Sequence, residues 1–225
     1  MKKLFIVANW KSNKTVAEAE EWIKQITDYR LQTSENLEVI LCPPFTLFSL
    51  LKSKIYDLKS NVKLGAQDIS PFPDGAYTGE ISGRMLKDLS VEYVIIGHSE
   101  RRKYFKETEQ VLENKVNEAL DANIIPIFCV QERTAPVPKG VKFLAYEPVF
   151  AIGTGNPDTP ENSNEVARVL KERLNKDMVI IYGGSVTPEN VKDFCQQENL
   201  NGVLPGGASL DPEKFSRIIE NASKI

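Results

Sequence analysis

A single histidine, His98, is the first candidate for chemistry in this 225-residue chain. It follows an apolar run and a glycine in VIIGHSERR (94–102), and charged residues come directly after it. A neutral imidazole donates one N–H and accepts at its other nitrogen, so it can relay protons. A buried histidine that only makes structural hydrogen bonds is more common, and His98 alone leaves both interpretations open.

Three other polar residues follow short apolar runs in the same way. Glu147 comes directly after KFLAY (142–146), where a carboxylate could act as a general base. Asn9 and Lys11 follow LFIVA (4–8) and would supply an amide and a positive charge. Each could equally be an ordinary exposed loop residue, so their meaning depends on the fold.

Glycine-rich turns follow the last three apolar runs of the chain. They are AIGTGNP (151–157), YGGSV (182–186) and PGGAS (205–209). Glycines let backbone N–H groups approach an anion closely, and the start of a helix adds a partial positive charge. Most single turns of this kind bind nothing, but two on neighbouring strand ends predict a phosphate site.

The elements that must position these residues alternate along the whole chain. Short apolar runs, typical of parallel strands buried on both faces, are separated by amphipathic stretches with helical spacing. The alternation predicts an α/β fold, a closed (β/α)8 barrel in a single domain over residues 1–225. An open doubly wound sheet is the alternative, but no GxGxxG follows the first run. The eight runs are 4–8, 37–42, 61–66, 93–97, 124–129, 142–146, 178–182 and 202–204.

The connection between the fifth and sixth predicted strands differs from the others. It reads VQERTAPVPKGV (130–141), and its two prolines, Pro136 and Pro138, exclude a long helix. We therefore expect the helix here to be shortened or missing. Elsewhere, TPENVKDF and DPEKFSRII each begin with a cap residue, Thr187 or Asp211, followed by proline, which predicts two helix starts.

Composition excludes several classes of function. A net charge of -3 argues against a nucleic-acid-binding protein, which usually has a basic face. The cysteines Cys42, Cys129 and Cys195 are far apart and there is one histidine, so we expect no metal site. The odd cysteine count and an N-terminus without a signal-peptide pattern predict a reducing, cytoplasmic location. No run is long enough for a membrane span, so we expect no membrane partner.

Seven strings of the sequence, taken together and in order, identify a family. They are ANWKSN (8–13), GAQDIS (65–70), GAYTGEISGRMLKD (75–88), IIGHSERR (95–102), AYEPVFAIGTG (145–155), YGGSVTPEN (182–190) and GVLPGGASL (202–210). GHSERR and YEPVFAIGTG are highly specific, and the match covers nearly the entire chain. The chain resembles the triosephosphate isomerase family. The resemblance implies a TIM barrel that interconverts dihydroxyacetone phosphate and D-glyceraldehyde 3-phosphate through an enediolate, without a cofactor, in glycolysis and gluconeogenesis.

The resemblance also implies a role for each residue at the strand ends. Glu147 resembles the base that moves a proton between two carbons, and His98 the group that polarises the carbonyl and shuttles a proton between oxygens. Lys11 would stabilise the phosphate and the enediolate charge, while Asn9 would hold substrate oxygens. Supporting residues would be Ser99 and Glu100, and the phosphate would be held by backbone N–H groups of Gly153, Ser185, Gly206 and Gly207.

Two segments matter beyond the reacting groups. PVFAIGTG (148–155) resembles the family's mobile lid. GAYTGE (75–80) resembles the loop that carries Thr78 to the partner subunit, which predicts a homodimer. Short members of the family can be homotetramers, so that assembly stays open.

The sequence departs from the family pattern in three places, which are Gln131, Pro205 and the short 131–142 region. None of them removes a reacting group, although Pro205 lacks a backbone donor near the predicted phosphate. Two alternatives remain at this point. One is a barrel for another phosphorylated aldose or ketose, and the other is a family member that binds phosphate or a protein without turnover. The complete set of Asn9, Lys11, His98 and Glu147 argues against both.

Overall fold

The protein is described by a computed structural model that covers residues 2–28, 36–57, 62–151 and 156–225. Its eight parallel strands form a closed barrel in chain order, and the last strand pairs with the first. The predicted (β/α)8 barrel is therefore confirmed. The strands are β1 (Leu4–Asn9), β2 (Leu37–Cys42), β3 (Val62–Ala66), β4 (Val91–Ile96), β5 (Ile125–Val130), β6 (Phe143–Tyr146), β7 (Val179–Tyr182) and β8 (Gly202–Val203).

Helices surround this barrel. Within the described residues they are α1 (Val16–Asp28), α2 (Phe48–Asp57), α3 (Gly83–Asp88), α4 (Ser99–Tyr104), α5 (Glu109–Asp121), α6 (Pro160–Arg173), α7 (Val191–Cys195) and α8 (Pro212–Ser223). Short 3-10 helices lie at Phe45–Leu47, Val149–Ala151 and Gly207–Leu210. In this part of the chain, no helix combines the length and the apolar character that a membrane crossing needs.

The strands read as continuous apolar runs because both of their faces are buried. In β1, Phe5 and Val7 belong to a cluster inside the barrel, whereas Leu4, Ile6 and Ala8 belong to the larger cluster that includes helix residues. Successive side chains of a strand point to opposite faces, so one strand supplies both clusters. This leaves the strand ends as the places where polar side chains can meet.

The two predicted helix starts have different outcomes. Asp211 caps α8 as predicted, since its Oδ1 accepts from the backbone N–H of Lys214 at 3.0 Å and Pro212 follows it. The helix predicted to begin after Thr187 instead begins at Val191. The Thr187 hydroxyl accepts from the N–H groups of Glu189 and Asn190, which closes a separate turn before the helix.

The connection from β5 to β6 contains no helix or strand over residues 131–142, as its prolines predict. Ala135 and Val137 pack against the outer core in the place where other strands are covered by a helix. Arg173 of α6 donates to the carbonyl of Ala135 at 2.7 Å and fixes this segment to the barrel.

Candidate active site

A cavity of about 440 Å³ opens at the carboxyl ends of the strands. Its lining brings together residues that follow β1, β4, β7 and β8, although these are distant in sequence. It includes two of the four predicted reacting residues and three of the four predicted phosphate ligands: Lys11, His98, Ser185, Gly206 and Gly207.

Glu147 is fully buried at the end of β6 and lies beside His98. Its Oε1 is 3.3 Å from Nε2 of His98, and its Oε2 accepts from the backbone N–H of Ser99 at 2.9 Å. Among the described residues, Oε1 has no hydrogen-bond partner. Gly183 makes room for this carboxylate, because a Cβ there would lie 3.0 Å from Cγ of Glu147. The site thus holds one carboxylate oxygen in place and leaves the other free to take a proton.

The hydrogen bonds of His98 define the state of its ring. His98 caps the start of α4, and its Nδ1 accepts from the backbone N–H of Glu100 at 3.2 Å. A nitrogen that accepts a hydrogen bond carries no proton, so the geometry assigns a neutral ring protonated at Nε2. Gly97, just before it, has φ +73, a backbone conformation that favours glycine. Because Nε2 is the ring nitrogen 3.3 Å from Oε1 of Glu147, the Nε2–H group is on the side of Glu147.

Helix α4 is anchored by a network of four charged side chains. Arg101 contacts Asp68 at 2.7 Å and Glu107 at 2.7 Å, and the buried ammonium of Lys115 contacts the same two carboxylates at 2.5 Å. Two positive and two negative groups thus compensate one another. The network ties the helix that His98 begins to the segment after β3.

Lys11 is held in an uncommon backbone conformation at the cavity wall. Its φ is +52, which is unfavourable for a residue with a side chain. Asn9 Oδ1 accepts from its N–H at 3.0 Å, and Gln67 Nε2 donates to its carbonyl at 2.8 Å and to the carbonyl of Cys42 at 3.0 Å. The Lys11 ammonium pairs with Glu100 at 2.6 Å. Asn9 is buried, and in this structure its side chain holds the backbone N–H of Lys11.

Two residues beside the reacting groups are absent from the sequence prediction. Gln67 lies in the string GAQDIS after β3, and its position there is the signal that could have found it. Cys129 lies inside β5 in contact with Glu147, and burial, followed by the Glu147 carboxylate, raises the pKa of its thiol. Nothing in the sequence around Cys129 indicates that it contacts the base, because this contact depends on the pairing of β5 with β6.

The glycine turns after β7 and β8 lie next to Lys11. A Cβ on Gly206 would be 3.2 Å from Cε of Lys11, so this turn and the ammonium-bearing side chain are in contact. Ser185 donates its hydroxyl to the carbonyl of Ala151 at 2.8 Å, which links the β7 turn to the segment after β6. Pro205 accepts from the N–H of Asn9 at 3.0 Å. Gly153, the fourth predicted phosphate ligand, lies outside the described residues.

The predicted dimer loop is separate from these groups. Thr78 is exposed on the segment between β3 and α3, and Tyr77 and Phe72 stack there with their ring centroids 4.4 Å apart. Val149 and Phe150, at the start of the predicted lid, are also exposed. The rest of the lid, residues 152–155, lies outside the described residues. In the described part of the chain, no three His, Cys, Asp or Glu side chains form a group that could hold a metal ion.

Comparison with known proteins gives the family. The model of the family "Triosephosphate isomerase" matches residues 4–143 and 139–222. The triosephosphate isomerase of Dictyoglomus turgidum is 41% identical over 252 residues, covering 98% of this chain and 100% of that protein. That of Mesomycoplasma hyopneumoniae (strain 7448) is 39% identical, covering 99% and 100%, and that of Aquifex aeolicus is 40% identical, covering 95% and 97%.

The same comparisons show that this chain is shorter than a relative. The alignment with the Dictyoglomus turgidum protein is longer than the 225 residues of this chain, so that relative has residues that are missing here. The two matched segments of the family model meet at 139–143, at the end of the connection that has no helix. The two matched segments together cover all of the strand ends. The chain belongs to the triosephosphate isomerase family.

Proposed function

We propose that this protein interconverts dihydroxyacetone phosphate and D-glyceraldehyde 3-phosphate without a cofactor. The observation that carries the proposal is the pairing of the buried Glu147 carboxylate with a neutral imidazole, whose Nε2 lies 3.3 Å from the carboxylate oxygen that has no hydrogen-bond partner among the described residues. Such a pair can remove a proton from carbon while it polarises the neighbouring carbonyl. Family membership supports the choice of substrate.

In the proposed reaction, Oε1 of Glu147 takes a proton from the substrate carbon next to the carbonyl. Nε2–H of His98 donates to the carbonyl oxygen, so that the electrons of the broken C–H bond form an enediolate. His98 moves a proton between the two oxygens, and Glu147 returns its proton to the other carbon. The positive charge of Lys11 stabilises the enediolate, which carries its negative charge on oxygen.

The phosphate end of the substrate is assigned to the glycine turns. Ser185, Gly206 and Gly207 line the cavity with Lys11. Their backbone N–H groups would hold the phosphate, and Gly153 would complete the set. Segment 148–155 would act as a lid that excludes water during the reaction. Val149 and Phe150 at its start are exposed large apolar side chains.

A coupled assay of glyceraldehyde 3-phosphate isomerisation tests the assignment of the base. Glu147→Asp withdraws the carboxylate by one methylene, so we expect kcat to fall about 100-fold or more. Glu161→Asp, an identical change at an exposed helix position, should retain wild-type activity. An inactive wild type would overturn the proposed function. Full activity in Glu147→Asp would overturn only the role of Glu147.

We further propose that the protein is a homodimer. Large apolar side chains are exposed on the segments that follow β2, β3 and β4, and a concentration of this kind usually marks an interface. The chain's GAYTGE segment, with Thr78, lies among them. These exposed residues are Phe45, Phe72, Tyr77, Met85, Tyr104 and Phe105.

Light scattering with size-exclusion chromatography tests the assembly. Tyr77→Lys places a charge in the proposed interface, so we expect the wild type to have dimer mass and the variant to have monomer mass. Ile225→Lys, at an exposed apolar residue of the carboxyl terminus, should remain dimeric. A monomeric wild type at micromolar concentration would contradict the proposal, and a tetramer would require a second interface.

We also propose a single domain in a cytoplasmic location. The closed barrel, which uses strands from both ends of the chain, supports a single domain. All three cysteines are described as buried free thiols, which is consistent with a reducing compartment.

A further inference from the structure

The cavity that contains Lys11 and His98 extends past the Gly206–Gly207 turn to helix α8. Its outer end is lined by Lys214 and Arg217 of that helix and by Glu189 from the segment before α7. Neither cation belongs to the strings that identify the family, and the proposed reaction gives neither of them a role. The proposed reaction therefore does not explain the two cations at the outer end of the cavity.

The three cations of the cavity differ in how far their charges are compensated. Lys11 pairs with Glu100 at 2.6 Å, and Arg217 pairs with Glu189 at 3.1 Å. Over the residues that the structure describes, no carboxylate lies within ion-pairing distance of the Lys214 ammonium. Asp211, on the same turn, uses its Oδ1 to accept from the backbone N–H of Lys214 instead. Lys214 is thus the uncompensated positive charge of the cavity.

An uncompensated cation at this position matters because of the charges of the protein and its substrate. The protein carries a net charge of -3, so at long range it repels a phosphate dianion. A local positive charge at a cavity entrance concentrates anions there and raises both their encounter rate and their affinity. Because Lys214 is exposed, it can exert this effect on a substrate that is still in solvent.

We propose that Lys214 captures the phosphate of the incoming substrate and thereby strengthens the preference for phosphorylated over uncharged trioses. The phosphate passes from Lys214 to the Gly206–Gly207 turn and Lys11, and the Arg217–Glu189 pair forms the rim beside that path. Lys214 is a specificity-determining residue and takes no part in the proton transfers. This inference rests on the proposed function for the identity of the substrate.

Two charge reversals, one in α8 and one at the residue directly after it, provide a matched test. Lys214→Glu and Lys224→Glu each remove one positive charge and add one negative charge, so both take the net charge from -3 to -5. The two positions are ten residues apart in sequence, or about 15 Å along a helix. That separation exceeds the Debye length of about 10 Å at 0.1 M ionic strength. Lys224 is exposed, pairs with Glu220 and does not line the cavity.

We expect Lys214→Glu to lower kcat/KM for glyceraldehyde 3-phosphate about fivefold or more at 0.1 M ionic strength. At about 1 M, where the Debye length is about 3 Å, the loss should shrink below about twofold. Turnover of D-glyceraldehyde, which lacks the phosphate, should be unchanged, and Lys224→Glu should resemble the wild type throughout. Equal values for the two variants at 0.1 M, or a loss that persists at high salt or with D-glyceraldehyde, would overturn the inference.

A binding measurement separates this inference from the proposed function. Since His98 is the only histidine, its NMR signals report inorganic phosphate binding in the cavity without any turnover. At constant ionic strength we expect the phosphate dissociation constant to rise about fivefold in Lys214→Glu and to stay unchanged in Lys224→Glu. Unchanged phosphate affinity in Lys214→Glu would overturn the inference even in an active enzyme. An inactive wild type that shows the expected shift would overturn only the proposed reaction.

Discussion

The position of the Lys11 ammonium at the active site depends on how neighbouring residues hold the backbone of Lys11. Lys11 is kept at φ +52, and a conformation of this kind costs about 1–3 kcal/mol unless the surroundings hold it. Gln67 supplies part of that restraint, since its amide joins the carbonyl of Lys11 to the carbonyl of Cys42. Gln67 therefore positions the ammonium without touching the substrate.

We predict that Gln67→Ala lowers kcat/KM about 10- to 100-fold, because a small displacement of Lys11 misplaces its charge relative to the enediolate. Steady-state kinetics of glyceraldehyde 3-phosphate isomerisation would measure the loss. Gln110→Ala, at an exposed glutamine whose amide contacts Asn114, should leave both kinetics and stability unchanged. Wild-type kinetics in Gln67→Ala would show that Lys11 keeps its position without the amide.

The residues that the sequence predicted share one property, which is that they directly follow an apolar run. Asn9, Lys11, His98 and Glu147 all lie at a strand end, so the barrel topology alone brings them together. Gln67 shares this position after β3, but its hydrogen bonds to the carbonyls of Lys11 and Cys42 could not be predicted. Cys129 could not be assigned at all, because its role depends on a contact with a neighbouring strand end. The protonated nitrogen of His98 likewise follows from a single contact with the N–H of Glu100.

At the scale of elements, the segment after the proposed lid is fastened by a buried carboxylate. Asp158 is 8% exposed, and it accepts from Asn162 Nδ2 at 2.8 Å, Ser163 Oγ at 3.1 Å and the N–H of Thr159 at 2.8 Å. Its own N–H donates to the hydroxyl of Tyr182 at 2.9 Å. The start of α6 and the end of β7 are thereby joined at the point where the lid ends.

We predict that Asp158→Ala lowers the free energy of unfolding by about 1–3 kcal/mol, because three donors, including the buried Ser163 hydroxyl, lose a charged acceptor. The lid end would also be released, so kcat/KM should fall about tenfold. Asp158→Asn, which keeps an acceptor oxygen, should recover part of both losses. Denaturant unfolding and steady-state kinetics measure the two effects. Lower stability with wild-type kcat/KM would restrict Asp158 to a structural role.

The connection from β5 to β6 shows how far proline positions alone can predict an element. Pro136 and Pro138 correctly excluded a long helix, and the structure has none over 131–142. The packing of Ala135 and Val137 against the outer core, and the bond from Arg173, could not be predicted, because small and apolar loop residues give no sign of what they cover. The barrel therefore tolerates the loss of a helix where a short extended segment can cover the strands.

At the scale of the whole molecule, the two ends of the barrel serve different purposes. The carboxyl ends of the strands hold the candidate active site, and the amino ends hold contacts that join strands. Glu38 of β2 is the main example, since it pairs with Lys3 at 2.5 Å and accepts a hydrogen bond from the hydroxyl of Tyr93 in β4. Substitutions here should change stability without changing the chemistry at the opposite end.

The pKa of Glu38 gives this contact a defined pH dependence. Burial alone would raise the pKa of Glu38, but hydrogen bonds from Lys3 and Tyr93 outweigh burial and lower it. A carboxyl whose pKa is lower in the folded state stabilises the protein above its unfolded pKa of about 4.3. That stabilisation is lost as the pH falls from there through the lower folded-state pKa.

We predict that Glu38→Gln lowers the free energy of unfolding by about 1–2 kcal/mol at pH 7, and that the difference from wild type begins to shrink as the pH falls below about 4.3. Urea denaturation from pH 7 to pH 3, at fixed protein concentration, would measure it, and kcat/KM at pH 7 should stay unchanged. Glu92→Gln, which breaks the exposed pair of Glu92 with Lys63, should cost less than about 0.5 kcal/mol. A difference that stays constant down to pH 3 would show that Glu38 stabilises the barrel through packing and not through its charge.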